Sequence, residues 1–226
     1  MLNKLEFNLW QMQVQIPDKN EDTELVRGEL QAGTAVSGHT YEIRVNLPVE
    51  VRDAAAEAIS GLENWHKKKL LKMAAPAILL ARFHAREEME STLLRWINRI
   101  IGAQEGFQFA FNNYGSMPAQ PLYWRIQDNG NFRHLAERLR VLDGWMQGNG
   151  CGALRLIHSP RLLLVEEMDS SVERAIQLEF SSRCHHLEME LRELELMRCD
   201  AWSDKFQLVS RFPLLPSGFK QSERFI

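Results

Sequence analysis

Arg161, four histidines and one glycine-rich stretch are the residues whose types and spacing bear most directly on chemistry in this chain. Arg161 follows Pro160 at the head of an apolar run. A guanidinium grips phosphate through two parallel hydrogen bonds, so Arg161 is a candidate anion ligand. The alternative is a pairing with a carboxylate such as Glu166 or Glu167, or a position along a rim. His84 and His158 could exchange protons near neutral pH. His185-His186, with Cys184 and Cys199, offers the atom types of a soft metal site. Adjacent residues on a strand point to opposite faces, however, so the two imidazoles are poorly placed to share an ion, and no metal is expected. Gly148-Asn149-Gly150-Cys151-Gly152 precedes a strand rather than a helix. It lacks the helix N-terminus that would hold phosphates and reads as a flexible turn. Asn112, Asn113 and Tyr114 before Gly115 could line a loop near a site, and turn chemistry explains them equally well. No P-loop, GxGxxG, HExxH or GxSxG is present.

The bulk properties narrow the partners. A chain of 226 residues suits one large domain or two fused lobes with a real core. A formal charge of -3 gives no long-range attraction to nucleic acid, so any nucleotide contact must be local. Lys67-Lys68-Lys69 ends a helical pattern and reads as a solvated helix terminus rather than an RNA contact. Cys151, Cys184 and Cys199 form no CxxC pair, which argues for a reducing compartment. No run reaches the ~18 apolar residues of a membrane span, and the expected location is cytoplasmic.

The elements that would position these groups follow from periodicity. Residues 1–40 read as an N-terminal extension, with alternating apolar positions around Leu5–Ile16 and a polar break from Pro17. From Tyr41, alternation of Tyr41, Ile43, Val45 and Leu47 predicts a half-buried strand ended by Pro48. Val51, Ala55, Ala58, Leu62 and Trp65 then form a helical stripe. A strand at 76–84 follows, and a helix with Met89, Leu93, Trp96 and Ile100 ends before Gly102. Phe107, Phe109 and Phe111 predict a strand, Gly115 to Pro118 a turn, and Leu122, Trp124 and Ile126 the returning strand. A third helix starts near Asn131, a potential N-cap, and carries Phe132, Leu135, Leu139, Leu142 and Trp145. The region 153–167 is extended, and a fourth helix carries Val172, Ile176 and Phe180. The stretch 183–198 satisfies both helical spacing and, with a phase slip at Arg192-Glu193, strand alternation. Phe206, Leu208 and Phe212-Pro213-Leu214 close the order, and a tail runs over 217–226. Tryptophans 65, 96, 124 and 145 fall on apolar stripes; Trp10 and Trp202 are less determined.

Pro76-Ala77-Ile78-Leu79-Leu80-Ala81-Arg82-Phe83 and Pro160-Arg161-Leu162-Leu163-Leu164-Val165 are two apolar runs, each entered through a proline and each preceded by a periodic helix. Together with the Phe-rich strand and the closing Phe-Pro-Leu, they resemble the paired strands of the two-histidine (2H) phosphoesterase superfamily, which includes 2'-5' RNA ligase-like proteins. The resemblance spans about residues 41–215, within a two-lobed domain expected over 41–216. It implies an α+β, two-lobed fold in which two antiparallel β-sheets face a central cleft with helices packed on the outside. It also implies a long strand at 183–198, which is the assignment adopted. Family members carry Pro-His-φ-Thr-φ at both runs, where φ is apolar. Here the four positions hold Ala77, Leu79, Arg161 and Leu163. Three of them can neither exchange a proton nor donate a hydrogen bond, so no catalytic residue is assigned.

Relative to those positions, parity in an unbroken strand sends His84 and His158 to the face away from the cleft, a reading that a bulge would reverse. The expectation is a protein that has lost phosphodiesterase or ligase catalysis and binds a small ligand, a nucleotide or a partner in the cleft around Ala77, Leu79, Arg161 and Leu163, without a cofactor. Two alternatives stand beside it: an enzyme of different chemistry in the same cleft, directed at a sugar or nucleotide, and an interaction module whose cleft is closed by Leu79 and Leu163.

Overall fold

The computed structural model describes residues 38–66, 71–73, 75–117, 120–183, 185–199 and 205–218. The readings made for residues 1–37, Lys67–Lys69, Cys184, Trp202 and the tail beyond Gly218 lie outside them.

Strand β1, His39–Val45, buries Tyr41, Ile43 and Val45 and starts two residues earlier than the alternation alone suggested. Helix α1, Val49–His66, follows Pro48. Then come β2 (Leu71–Met73), β3 (Leu79–Ala85), a 3-10 turn at Glu87–Met89 and α2 (Glu90–Ile101). The hairpin is β4 (Phe107–Met117) and β5 (Gln120–Gln127). After it come α3 (Asn131–Leu139), α4 (Val141–Gly148), β6 (Arg155–Leu156), β7 (Arg161–Met168) and α5 (Ser170–Ser181). The described chain closes with β8 (His186–Leu191), β9 (Glu193–Cys199) and β10 (Phe206–Pro213).

Among the described residues two five-stranded sheets form, in the orders β10-β9-β1-β3-β6 and β2-β7-β5-β4-β8, and their strand pairs are antiparallel. They are called sheet A and sheet B below. Helix α2 lies on β10, α3 on β3 and α2, α1 on β7 and β2, and α5 on β4 and β5. Among the described residues one apolar cluster joins the helices to the sheets. The expected α+β arrangement of two sheets about a cleft is the one observed.

Local assignments shift where tertiary pairing outweighs sequence pattern. Gly115 belongs to β4 rather than to a turn, because the strand continues to Met117. The third helix is two helices, broken at Arg140. Its start is capped not by Asn131 but by Asp128, whose carboxylate accepts a hydrogen bond from the Phe132 N–H (2.8 Å), with Gly130 in the left-handed region at φ 82°. The phase slip at Arg192 is a change of sheet: β8 pairs with β4 in sheet B, and β9 pairs with β1 in sheet A. Burial of Met189, Leu191, Leu194 and Leu196 rewards strand pairing over the helical alternative.

The strands at the centre are built as two matched runs. β2 and β3 are successive strands on one side, and β6 and β7 successive strands on the other. The runs lie antiparallel, β2 on β7, Ile78 bridged to Leu162, and β3 on β6. Pro76 and Pro160 each sit where their run leaves the ladder. A residue without an N–H is suited to that place, because it forfeits no ladder hydrogen bond.

Candidate ligand-binding cleft

The bridge between Ile78 and Leu162 joins the two sheets. Ile78, Leu80, Leu162 and Leu164 are buried against the helices, whereas Ala77, Leu79, Arg161 and Leu163 are only partly covered. Extending the antiparallel register by one residue each way sets Leu79 beside Arg161 and Ala77 beside Leu163. All four positions therefore share one face, the one turned away from the helices.

Sheet A carries charge on that face. A bulge at Leu80 makes β1 pair Ile43 with Ala81 but Arg44 with Leu79. Arg44, Glu42 and Thr40 thus share the face of Leu79, and so do their partners Arg82 and His84. The parity argument for His84 is corrected: the bulge turns His84 toward the cleft. Its Nδ1 shares a hydrogen bond with Thr40 Oγ1 (3.2 Å). Burial, and then the guanidiniums of Arg155 and Arg82, hold its pKa below the ordinary histidine range. It lies five residues from Leu79, at most about 16 Å along the strand, so it does not replace a missing imidazole at 77.

Glu42 is 1% exposed and lies between two arginines. Arg82 Nε donates to Glu42 Oε1 (2.7 Å), Arg44 binds the other carboxylate oxygen, and the Arg44 guanidinium stacks 4.2 Å over the Phe206 ring. Sequence reading passed over this trio, since Glu42 and Arg44 looked like the solvated half of an alternating strand.

On sheet B the register pairs Tyr123 with Leu163 and Arg125 with Arg161. The Arg161 guanidinium lies 4.8 Å from the Tyr123 ring centroid, and its Nη1 touches Met117 Sδ at 2.6 Å. Among the described residues no carboxylate pairs with it. The suggested partners Glu166 and Glu167 are five and six residues farther along β7, roughly 16 Å or more away. Arg125 is exposed at its side.

The other flagged residues fall elsewhere. His158 lies 3.8 Å from Glu137 of α3, on the helix side. His185 stacks on Trp124 at 3.9 Å between centroids, and burial lowers its pKa; His186 is exposed, 3.3 Å from Glu188. The two histidines point apart, and Cys199 lies in the other sheet. Among the described residues no three His, Cys, Asp or Glu side chains come together as a metal site. Asn112 donates to Gln127 (2.7 Å), Asn113 forms a strand bulge at φ 61°, and Tyr114 packs on Phe180.

No family profile and no curated protein matches the chain. Solved structures do. TT0787 of Thermus thermophilus is 18% identical with a TM-score of 0.60, covering 79% of this chain and 99% of that one. A phosphoesterase structure is 18% identical with a TM-score of 0.59 over the same shares. Escherichia coli LigT complexed with 3'-AMP is 17% identical, with a TM-score of 0.55, over 79% of this chain and 98% of that one. LigT has also been solved with phosphate, ATP and NADP+. The chain thus has the fold of TT0787, of that phosphoesterase and of LigT, and it is the fold expected from its two proline-led strands.

Proposed function

We propose that this protein is a cytoplasmic pseudoenzyme of the 2H fold that binds a phosphate-bearing small molecule or nucleotide in its cleft without catalysing phosphodiester chemistry. The observation that carries this reading is the content of the four positions around the Ile78–Leu162 bridge. Acid-base catalysis at a phosphodiester needs one group to take a proton and another to give one, both reaching the same cleft. Ala77, Leu79 and Leu163 supply neither a proton nor a hydroxyl. A guanidinium such as that of Arg161 suits anion binding rather than proton transfer. The nucleotides and phosphate held by LigT support the class of ligand.

The test mixes purified protein with 2',3'-cyclic nucleotides and 2',5'-linked dinucleotides, and separately titrates in inorganic phosphate and 3'-AMP. No turnover is expected, and Arg161→Ala weakens binding. Turnover that Arg161→Ala abolishes would overturn the inactive reading.

A second reading rests on His84, which faces the cleft on the Thr40 hydroxyl. If the cleft hosts another reaction, His84→Gln removes it. A closed interaction module is less well supported, because Leu79 and Leu163 both keep access to solvent.

A further inference from the structure

Two pairs of arginines face each other directly across neighbouring strands on the cleft side, one pair in each sheet. In sheet B, Arg125 is the register partner of Arg161; in sheet A, Arg82 is the register partner of Arg155. Like charges set directly opposite one another destabilise a sheet, and a guanidinium cannot relieve the repulsion by losing its proton. Compensation within the protein is incomplete. Glu42 is shared between Arg44 and Arg82, so that trio keeps one net positive charge, and Arg155 adds another. Among the described residues Arg125, Arg155 and Arg161 have no carboxylate partner. The pKa of His84 is lowered first by burial and then by the charges of Arg155 and Arg82, which adds to the same picture. All this sits in a chain whose formal charge is -3, so the concentration is local.

The pairs flank the junction of the sheets. Arg161 lies beside Leu79, and Arg82 is three residues along β3 from Leu79, at most about 10 Å. We propose that the cleft takes a ligand with two separate phosphate groups, one held by Arg125 and Arg161 and the other by Arg82 and Arg155. This deepens the reading of the cleft as a phosphate site and rests on it. A ligand with one phosphate fills half of the site. Glu42 acts as a positioning residue, holding the Arg82 guanidinium toward the cleft.

Isothermal titration of the full chain with adenosine 3',5'-bisphosphate, 3'-AMP, 5'-AMP and inorganic phosphate separates the possibilities. The bisphosphate is expected to bind about tenfold or more tightly than either monophosphate, as a second set of charge-assisted hydrogen bonds requires. Arg155→Ala, at an exposed position, should bring the bisphosphate down to the affinity of a monophosphate, while Arg155→Lys retains part of the advantage. Arg125→Ala should weaken every probe. Equal affinity for bisphosphate and monophosphates, or no effect of Arg155→Ala, overturns the two-phosphate inference while the phosphate cleft stands. Failure of all four probes to bind overturns both.

Discussion

Gly115 of β4 stands directly across from Tyr123 of β5, and a Cβ at Gly115 would lie 2.4 Å from the Tyr123 ring. The missing side chain lets the ring lie over the β4 backbone, where it supports the Arg161 guanidinium. Gly115→Ala must displace the ring. The expected cost is about 1 kcal/mol, at the low end for overpacking, because the end of a side chain yields more easily than backbone. Phosphate binding should weaken along with it, as Arg161 loses its platform. Thermal melts give the first quantity and titration with inorganic phosphate the second.

Glu42 is the residue whose loss should be felt most on sheet A. Glu42→Gln leaves Arg44 and Arg82 without their shared anion in a largely covered position. Breaking a buried pair from one side costs about 3–5 kcal/mol. The lower end is expected here, since the Arg82 side chain is 44% exposed and can turn to water. Urea unfolding measures it.

These two relationships mark what the residue pattern could and could not reveal. The strand of Tyr41, Ile43 and Val45, the α1 stripe of Val51, Ala55 and Leu62 and the two proline-led runs were legible, because alternation and 3.6-residue spacing are local signals set by one buried face. On α2 the buried face is Leu93, Ile97 and Ile101, one position round from the expected Met89, Trp96 and Ile100. The four positions at the junction were legible from the resemblance. The bulge at Leu80 was not: a single extra residue leaves no mark in composition, yet it turns His84 from one face to the other. The crossing at Arg192 looked like a slip within one strand, because both halves alternate and only their partners differ. Gly115 read as a turn because its close neighbour, Tyr123, is remote until the hairpin closes. Cross-strand arginine pairs are likewise invisible before register is fixed.

Stability should depend on pH through His84 and His185. Both pKa values lie below the ordinary 6.5, in each case first through burial. The unfolded chain then takes up protons more readily than the folded one, so stability falls as pH drops below about 6.5 and levels off beneath the folded values. Urea midpoints between pH 7.5 and 5 should show the decline, and His84→Gln and His185→Gln should each flatten it. A phosphate probe bound at Arg82 and Arg155 offsets their field, so it should move the NMR titration of His84 upward and leave that of His185 in place.

The junction can also be asked to regain what it lacks. Ala77 and Arg161 flank the Ile78–Leu162 bridge on the open face, so imidazoles at both positions would look into one groove. Ala77→His with Arg161→His, joined to Leu79→Thr and Leu163→Thr for the phosphate, should give measurable hydrolysis of 2',3'-cyclic nucleotides by chromatography. Either histidine alone should be slower by roughly 10²–10⁴-fold, the contribution of one general acid or base. Because Ala77, Leu79 and Leu163 are partly exposed, the polar replacements keep contact with water and the fold should survive them. A folded quadruple variant with no turnover would mean that the backbone at the junction, and not only its side chains, has departed from the geometry that phosphodiester chemistry requires.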